Sequence, residues 1–568
     1  MIVDSYRKVV WNQFRKSKVG MVALILLVLF FLIGLYAPFL ANSKPLLIIW
    51  NKKPYFPLLR YLFYKGFYSK PIDLFYNILM FTFPFFLIGL RYRWVFWTMC
   101  LLQLSLFCFF MTGFVKDPKS NPRSKEARQK ALQSQMTYRE DPLLAPIIPY
   151  PTWAFDLKFM TNYEKINLIL DYLHQKTQHE YLLPYATLFE KKWEQQMPTL
   201  WSVAQRNEKD KRESLKQTLE ETKKNYYQAL DKLPELTATY LPYSHDYLMA
   251  KYDLDRANGG TDFSEKETHF NTIVARSSEA RFVLQEARDT IQGYRDATAE
   301  LYFMNERNEW IEEQFANFKV VIPALLRPFH WEDDAGGAQG INQIIPWWDL
   351  TRINRKDLVT SLIFGIRVSL VVGVSAVVIA LLIGLPLGTI SGYFAGKTDL
   401  VFCRILEIWE SMPTFFMLLL VVALTQSKSI FIVVAVLGIF GWTTFGRYMR
   451  AEVLKQRSLS YVMACKSLGY NHPKIMFSHI LPNAIPPILT LLPFSMMAAI
   501  TSEAGLSFLG LGEEGSTSWG VLMAEGRSVF PAESYLLWPP AILLTTLLIC
   551  IALIGDVMRD AIDPKMRS

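Results

Sequence analysis

The chain has 568 residues, 51% of them hydrophobic and 20% charged, with 39 Phe, 27 Tyr and 15 Trp. Charge this scarce, with the apolar residues gathered into runs, sets it apart from a soluble globular protein. The formal net charge of +9 does not point to nucleic acid. Residues 116–350 hold about 30 basic against about 35 acidic residues, so the positive excess belongs to loops beside lipid.

A membrane helix needs about 20 mostly apolar residues to cross the hydrocarbon core. In chain order the runs of that length are 21–39, 74–90, 94–115, 367–392, 402–424, 430–445, 484–502 and 537–555, which predicts about eight spans. The first resembles a signal peptide in position, but its apolar core is long and no small-residue cleavage site follows, so it is expected to be a permanent anchor. Prolines at 386, 413 and 493 fall within spans and predict kinks.

The stretch 116–350 is polar and reads as a largely helical domain. Residues 202–233 are rich in Glu, Lys, Gln, Leu and Ala, and Pro234 is expected to close that helix. Ser264 and Glu267 have the spacing of a capping box. Beyond them Ile273, Ala280, Leu284, Ala287, Ile291, Tyr294 and Leu301 recur every three or four residues, which places them on one helical face. Gly259-Gly260 supplies the turn, and an antiparallel helical hairpin results. A partner-binding coiled coil is the alternative, against which small and polar residues interrupt the seam. The five cysteines, Cys100, Cys108, Cys403, Cys465 and Cys550, all lie in or beside apolar runs, where they read as small buried hydrophobes.

Sidedness follows from the basic residues, which accumulate on cytoplasmic loops. Residues 447–482 carry Arg447, Arg450, Lys455, Arg457, Lys466 and Lys474 against Glu452, which puts that loop and both termini in the cytoplasm. The 513–533 loop and the 116–350 domain then fall on the periplasmic side. The basic stretch 42–72 is the discordant segment.

Chemistry-bearing motifs are few. Ser391-Gly-Tyr-Phe-Ala-Gly-Lys397-Thr398 approaches a phosphate-binding loop, but Ser391 stands where glycine is required and a membrane helix precedes it instead of a strand. The seven histidines are scattered, with no nucleophile set or metal spacing. Catalysis is not expected, and any ATP hydrolysis must come from another chain. Charged residues at Arg367, Arg404, Glu407, Glu410, Glu503 and Asp556 sit in or near spans, where function is the starting hypothesis. Pairing or snorkelling is the reading preferred for them, Arg404 and Glu407 being three apart on one helix face.

The informative segment is 461–483, Tyr461-Val-Met463-Ala464-Cys465-Lys-Ser-Leu-Gly469 followed by a second amphipathic run through His479, Leu481, Pro482 and Asn483. It predicts two short helices at the membrane surface, with Gly469 in a left-handed turn and Pro482 closing the second. This segment resembles the EAA loop of ABC-importer permeases. Met463, Ala464 and Cys465 fill its first three positions, Gly469 the glycine and Leu481-Pro482 the ending, while His479 agrees with the peptide branch. Met463 replaces the usual acid and Cys465 an alanine. Four further motifs resemble the OppC/DppC family: Leu506-Ser-Phe-Leu-Gly-Leu-Gly512, Ser518-Trp-Gly520, Ala524-Glu-Gly-Arg527 and Gly555-Asp556 through Asp563-Pro564. Lys44-Pro-Leu-Leu, Tyr55-Phe-Pro57 and Trp409-Glu410-Ser-Met-Pro413 are most similar to the YejE-type branch for oligopeptides and microcin C. The usual entry to the core is degraded to Leu350-Thr-Arg-Ile-Asn-Arg-Lys-Asp357.

That resemblance implies an all-α polytopic permease with a type I-like importer core and an inserted helical extracytoplasmic domain. The expected divisions are 1–58 (cytoplasmic start, first span and periplasmic segment), 59–115 (two extra spans), 116–350 (inserted domain) and 351–568 (permease core). The loop is then the coupling element, formed by Tyr461, Met463, Ala464, Cys465, Gly469, His479, Leu481 and Pro482. Implied partners are a second homologous permease, two ABC ATPase subunits holding ATP and Mg, a periplasmic peptide-binding protein and membrane lipid. Residues 59–318 have no counterpart in that family, and because two added spans preserve sidedness, they read as a separable module. A membrane-anchored sensor working through the 116–350 domain is the rival, for which a coupling loop would have no use.

Overall fold

The computed structural model describes residues 6–64, 70–89, 91–115, 143–144, 147, 161–177, 193–257, 263–314, 317–322, 324–326, 331, 357–425, 428–513, 515–531 and 534–562. Helix α1 (Tyr6–Lys16) leads into α2 (Lys18–Leu35), whose start is capped by Ser17 accepting from the Gly20 amide. Then come α3 (Pro71–Gly89), α4 (Arg93–Met111), α5 (Asn162–Thr177), α6 (Trp193–Arg256) and α7 (Phe263–Gln314). The core follows with α8 (Leu358–Phe394), α9 (Gly396–Glu410), α10 (Thr414–Thr425), α11 (Ile430–Gln456) and α12 (Ser460–Ser467). Next is α13, a composite of His472–Lys474, a π segment Ile475–Ile480 and Leu481–Leu489. The last are α14 (Leu492–Leu506), α15 (Trp519–Ser528) and α16 (Trp538–Ile562).

Among the described residues seven helical segments are long and apolar enough to span a membrane: Lys18–Leu35, Pro71–Gly89, Trp94–Met111, Leu358–Phe394, Ile430–Gln456, Leu492–Leu511 and Ser534–Ile562. The expected span 402–424 is divided instead. Helix α9 ends at Glu410 and α10 starts at Thr414, because Pro413 lacks an amide donor and disfavours a helical Met412. Proline 413 thus separates two helices, Pro493 lies in the first turn of α14, and Pro386 is the one of the three inside a helix.

Helices α8 and α11 approach through glycine. A Cβ at Gly384 would lie 2.6 Å from the Trp442 carbonyl, and one at Gly388 would lie 2.5 Å from that of Gly446. One turn on, a Cβ at Gly392 would meet the Arg450 carbonyl at 2.7 Å. Small residues four apart let two backbones touch in lipid, where dispersion rather than water expulsion holds helices together.

Helices α6 and α7, 64 and 52 residues long, form the expected hairpin. Tyr226 stacks on Tyr294 at 4.3 Å between ring centroids, and buried Tyr240 and Leu284 share a cluster with Leu233, Leu236 and Ala280. Pro234 does not close α6, which continues to Arg256. Packing on both sides of that residue outweighs a propensity loss of about 3 kcal/mol. Ser264 falls inside the first turn of α7, where its carbonyl accepts from Thr268 at 2.8 Å; Gly259 and Gly260 lie outside the described residues.

The one sheet found among the described residues joins the two ends of this region. Strand β1 (Leu47–Trp50) pairs antiparallel with β2 (Lys53–Tyr55) and with β3 (Phe318–Ile322), in the order β2-β1-β3. Ile48, Trp50 and Phe318 from the sheet bury against Ile166, Ile169 and Leu170 of α5 and Ile311 of α7. The Trp50 indole N–H donates to Gln314 Oε1 at 3.1 Å.

Candidate functional site: the loop between α11 and α14

The loop is built as two short amphipathic helices on the ends of the long ones. Val462, Ile475, Met476 and Ile480 turn inward and share a buried cluster with Tyr393 of α8 and Met449 and Val453 of α11. Tyr461, Cys465 and Leu481 pack at its edge. The Tyr461 hydroxyl donates to Gln456 Oε1 at 3.0 Å, and burial pushes its phenol above the usual range. The opposite face is open: Met463 is 59% exposed, Leu468 71%, Phe477 41%, and Ala464 lies beside them. Met463, in the place of the usual acid, makes this face apolar where a carboxylate would have charged it.

Gly469 ends α12 as the spacing predicted. Its φ is +76°, its amide donates to the Lys466 carbonyl at 3.0 Å, and the Tyr470 amide donates to that of Cys465 at 3.1 Å. These bonds satisfy the carbonyls that a helix end leaves free. Pro482, expected to close the second helix, lies inside α13 instead. A helical proline crowds the carbonyl four residues back, here Ser478, and the wider π segment at Ile475–Ile480 gives that carbonyl room. Asn483 Nδ2 donates to the His479 carbonyl at 2.9 Å, and the His479 ring stacks on Tyr470 at 5.5 Å.

Tyr393 was not singled out by the sequence. Its hydroxyl shares a 2.8 Å hydrogen bond with His472 Nδ1, its carbonyl accepts from Arg457 at 3.2 Å, and Lys466 lies over its ring at 5.4 Å. These contacts tie both loop helices to the end of α8. The signal was present as a tyrosine at the end of an apolar run, which by itself is too common to select.

The glycine-rich turn 391–398 closes on itself. The Ala395 amide donates to the Ser391 carbonyl at 2.9 Å, and the Ser391 hydroxyl donates to Asp399 Oδ1 at 2.8 Å. Arg450 donates to both oxygens of the same carboxylate, Nε to Oδ1 and Nη2 to Oδ2 at 2.7 Å, and holds Asp399 below the ordinary carboxylate range. Arg447 pairs with Glu410, and Arg404 with Glu407 at 2.5 Å as their spacing predicts. Helix α9 is thus fastened near both ends to α11.

Residues 384–568 match the family described as binding-protein-dependent transport system inner membrane component. Residues 5–57 match the N-terminal TM domain of oligopeptide transport permease C. The chain is 32% identical over 257 residues to the oligopeptide transport system permease protein OppC of Bacillus subtilis, covering 44% of this chain and 83% of that protein. With OppC of Haemophilus influenzae it shares 36% over 251 residues, 44% of this chain and 80% of that one. With the peptidoglycan transport system permease protein YejE of Agrobacterium fabrum it shares 36% over 222 residues, 38% of this chain and 57% of that protein. An inward-facing structure of the MetNI methionine ABC transporter superposes with a TM-score of 0.30 at 17% identity, covering 36% of this chain and 96% of that one.

Proposed function

Because the chain belongs to the family of binding-protein-dependent peptide ABC importer permeases, we propose that it forms half of a peptide pore and docks ATPase subunits through residues 461–483. One observation supports this most directly. The loop shares a single buried cluster with α8 and α11 while Met463, Leu468 and Phe477 remain exposed on its other face. A surface of that kind accepts a partner's groove, and a push on it moves the long helices as a rigid body.

The chain is a multi-pass inner-membrane protein. In this reading both termini and the loop face the cytoplasm, and the α6–α7 hairpin stands in the periplasm. A second homologous permease completes the pore, two ATPase subunits supply ATP and Mg chemistry, and a periplasmic binding protein delivers oligopeptides or dipeptides. Alternation between outward- and inward-facing states follows from closure of the ATPases on the loop.

The test is Gly469→Val in the full complex. A β-branched residue in the left-handed conformation is strained by about 1–2 kcal/mol, so α12 and α13 lose their fixed angle. The chain should insert normally, while peptide-stimulated ATP hydrolysis falls severalfold. Unchanged stimulation sinks the docking role of this loop. Cysteines placed in 202–233 should react with an impermeant thiol reagent from the periplasmic side; labelling only after membrane rupture overturns the sidedness.

A further inference from the structure

The guanidinium of Arg367, in the third turn of α8, is fully buried. It donates to the Gly34 carbonyl at 2.6 Å, the Leu35 carbonyl at 3.1 Å, Asp73 Oδ1 at 3.0 Å and Asn77 Oδ1 at 3.0 Å. The rings of Tyr76 and Phe364 each lie with their centroids 5.2 Å from it. Asn77 is itself held, its amide donating to the Leu62 carbonyl at 2.8 Å. The arginine stands on α8, which enters the family match at residue 384, while its counter-charge comes from α3, a span that lies wholly outside both family matches.

Three residues before Asp73, Lys70 reaches a different part of the core. Its Nζ donates to the Gly515 carbonyl at 2.7 Å and lies 5.2 Å over the Trp331 ring. Gly515 opens the segment 515–518 that leads into α15, and that segment rests on α8. The Trp519 indole N–H donates to the Leu362 carbonyl at 3.1 Å, and a Cβ at Gly365 would meet the Thr517 carbonyl at 2.6 Å. Within the bilayer an arginine is tolerated only when paired, so the Arg367–Asp73 contact is a permanent fastening. The Lys70 contact, by contrast, joins a solvent-exposed charged hydrogen bond on the Gly515 carbonyl to a ring contact with Trp331, and a contact at the surface can open and close.

We propose that α3 is a clamp on the pore: Asp73 and Asn77 fix it to α8 through Arg367, and from that base Lys70 latches residues 515–518 against α8. The added spans then set how readily this end of the pore opens. The proposal deepens the pore reading and rests on it for the meaning of opening, but the contacts are tested without transport.

For the latch, Thr517→Cys is introduced into the full chain, purified in detergent so that sidedness plays no part. Its reaction with a hydrophilic maleimide is followed above the background of the parent chain. Thr517 is buried, so labelling reports lifting of the segment. Adding Lys70→Met should speed it roughly fivefold to tenfold, the loss of one charged hydrogen bond, while Lys70→Arg, which keeps a donor, should restore the slow rate. An unchanged rate in Lys70→Met overturns the latch. For the clamp, Asp73→Leu should lower the folded-to-unfolded ratio about a hundredfold on heating. Adding Arg367→Met to Asp73→Leu should recover most of that loss even where the single variant does not accumulate. A double variant no better than Asp73→Leu alone overturns the clamp.

Discussion

Two arginines on the two long core helices meet their carboxylates in opposite surroundings. Arg367 of α8 is sealed from solvent with Asp73, whereas the Arg450 and Asp399 side chains are 27% and 19% exposed at the ends of α11 and α9. Near solvent an ion pair gains little, because water already solvates both partners. Away from water each charge depends on the other, and removing one leaves the second with nowhere to go. The partly buried pair therefore trims the angle between neighbouring helices, while the fully buried one decides which helices belong to the fold.

Deleting residues 59–318 breaks that contrast most severely. Parity of spans suggests a separable module, but the deletion removes Asp73 and Asn77 from around Arg367 and β3's first residue from beside β1. The shortened chain should lose about 3–5 kcal/mol through the uncompensated arginine and fail to accumulate in membranes. Combining the deletion with Arg367→Met should raise the recovered amount, measured as detergent-soluble monodisperse protein. Equal recovery with and without Arg367→Met contradicts the importance of the buried pair.

A smaller effect comes from the α8–α11 seam that both arginines flank. Gly388→Leu forces a side chain against the Gly446 carbonyl and Met449, and overpacking of this kind costs about 1–3 kcal/mol. Thermal unfolding in detergent should move down by several degrees, whereas the same change at Gly505, where a Cβ meets nothing within 4 Å, should shift it far less.

The partly buried Arg450–Asp399 pair gives the next step down, with a definite sign in pH. Arg450 depresses the Asp399 carboxyl in the folded chain, so the contribution is complete above the ordinary aspartate value of about 4 and is lost as pH falls below it. Asp399→Asn should cost about 1 kcal/mol or less at neutral pH and flatten the acid limb of a stability-against-pH curve. An acid limb identical in both proteins assigns that loss to other carboxylates. Smallest of all, Arg404→Ala should leave the unfolding temperature unchanged, since that pair is open to solvent on both sides. A clear drop there would show that α9 is buried in an assembly.

The loop 461–483 and the membrane helices were legible in the sequence because each rests on local chemistry. Gly469 takes the conformation only glycine adopts freely, and the apolar runs have the length lipid demands. Proline misled where packing or backbone geometry intervened: Pro234 and Pro482 lie within helices, and Pro413 splits what composition alone presents as one span. Helix and sidechain periodicity identified the α6–α7 face through Leu284 and Ile291, both fully buried.

Apolar run length, helical periodicity and the motif spacings thus determined the membrane class, the hairpin and the position of the two short helices in the 461–483 loop, since each depends on residues near one another in the chain. The fastening of Arg367 to Asp73, the latch from Lys70 to Gly515, the closing of β3 on β1 and the anchoring of the loop by Tyr393 were decided by tertiary structure alone. Each joins residues far apart along the chain, and a lone lysine, aspartate or tyrosine in a sequence carries no mark of the partner that folding brings to it.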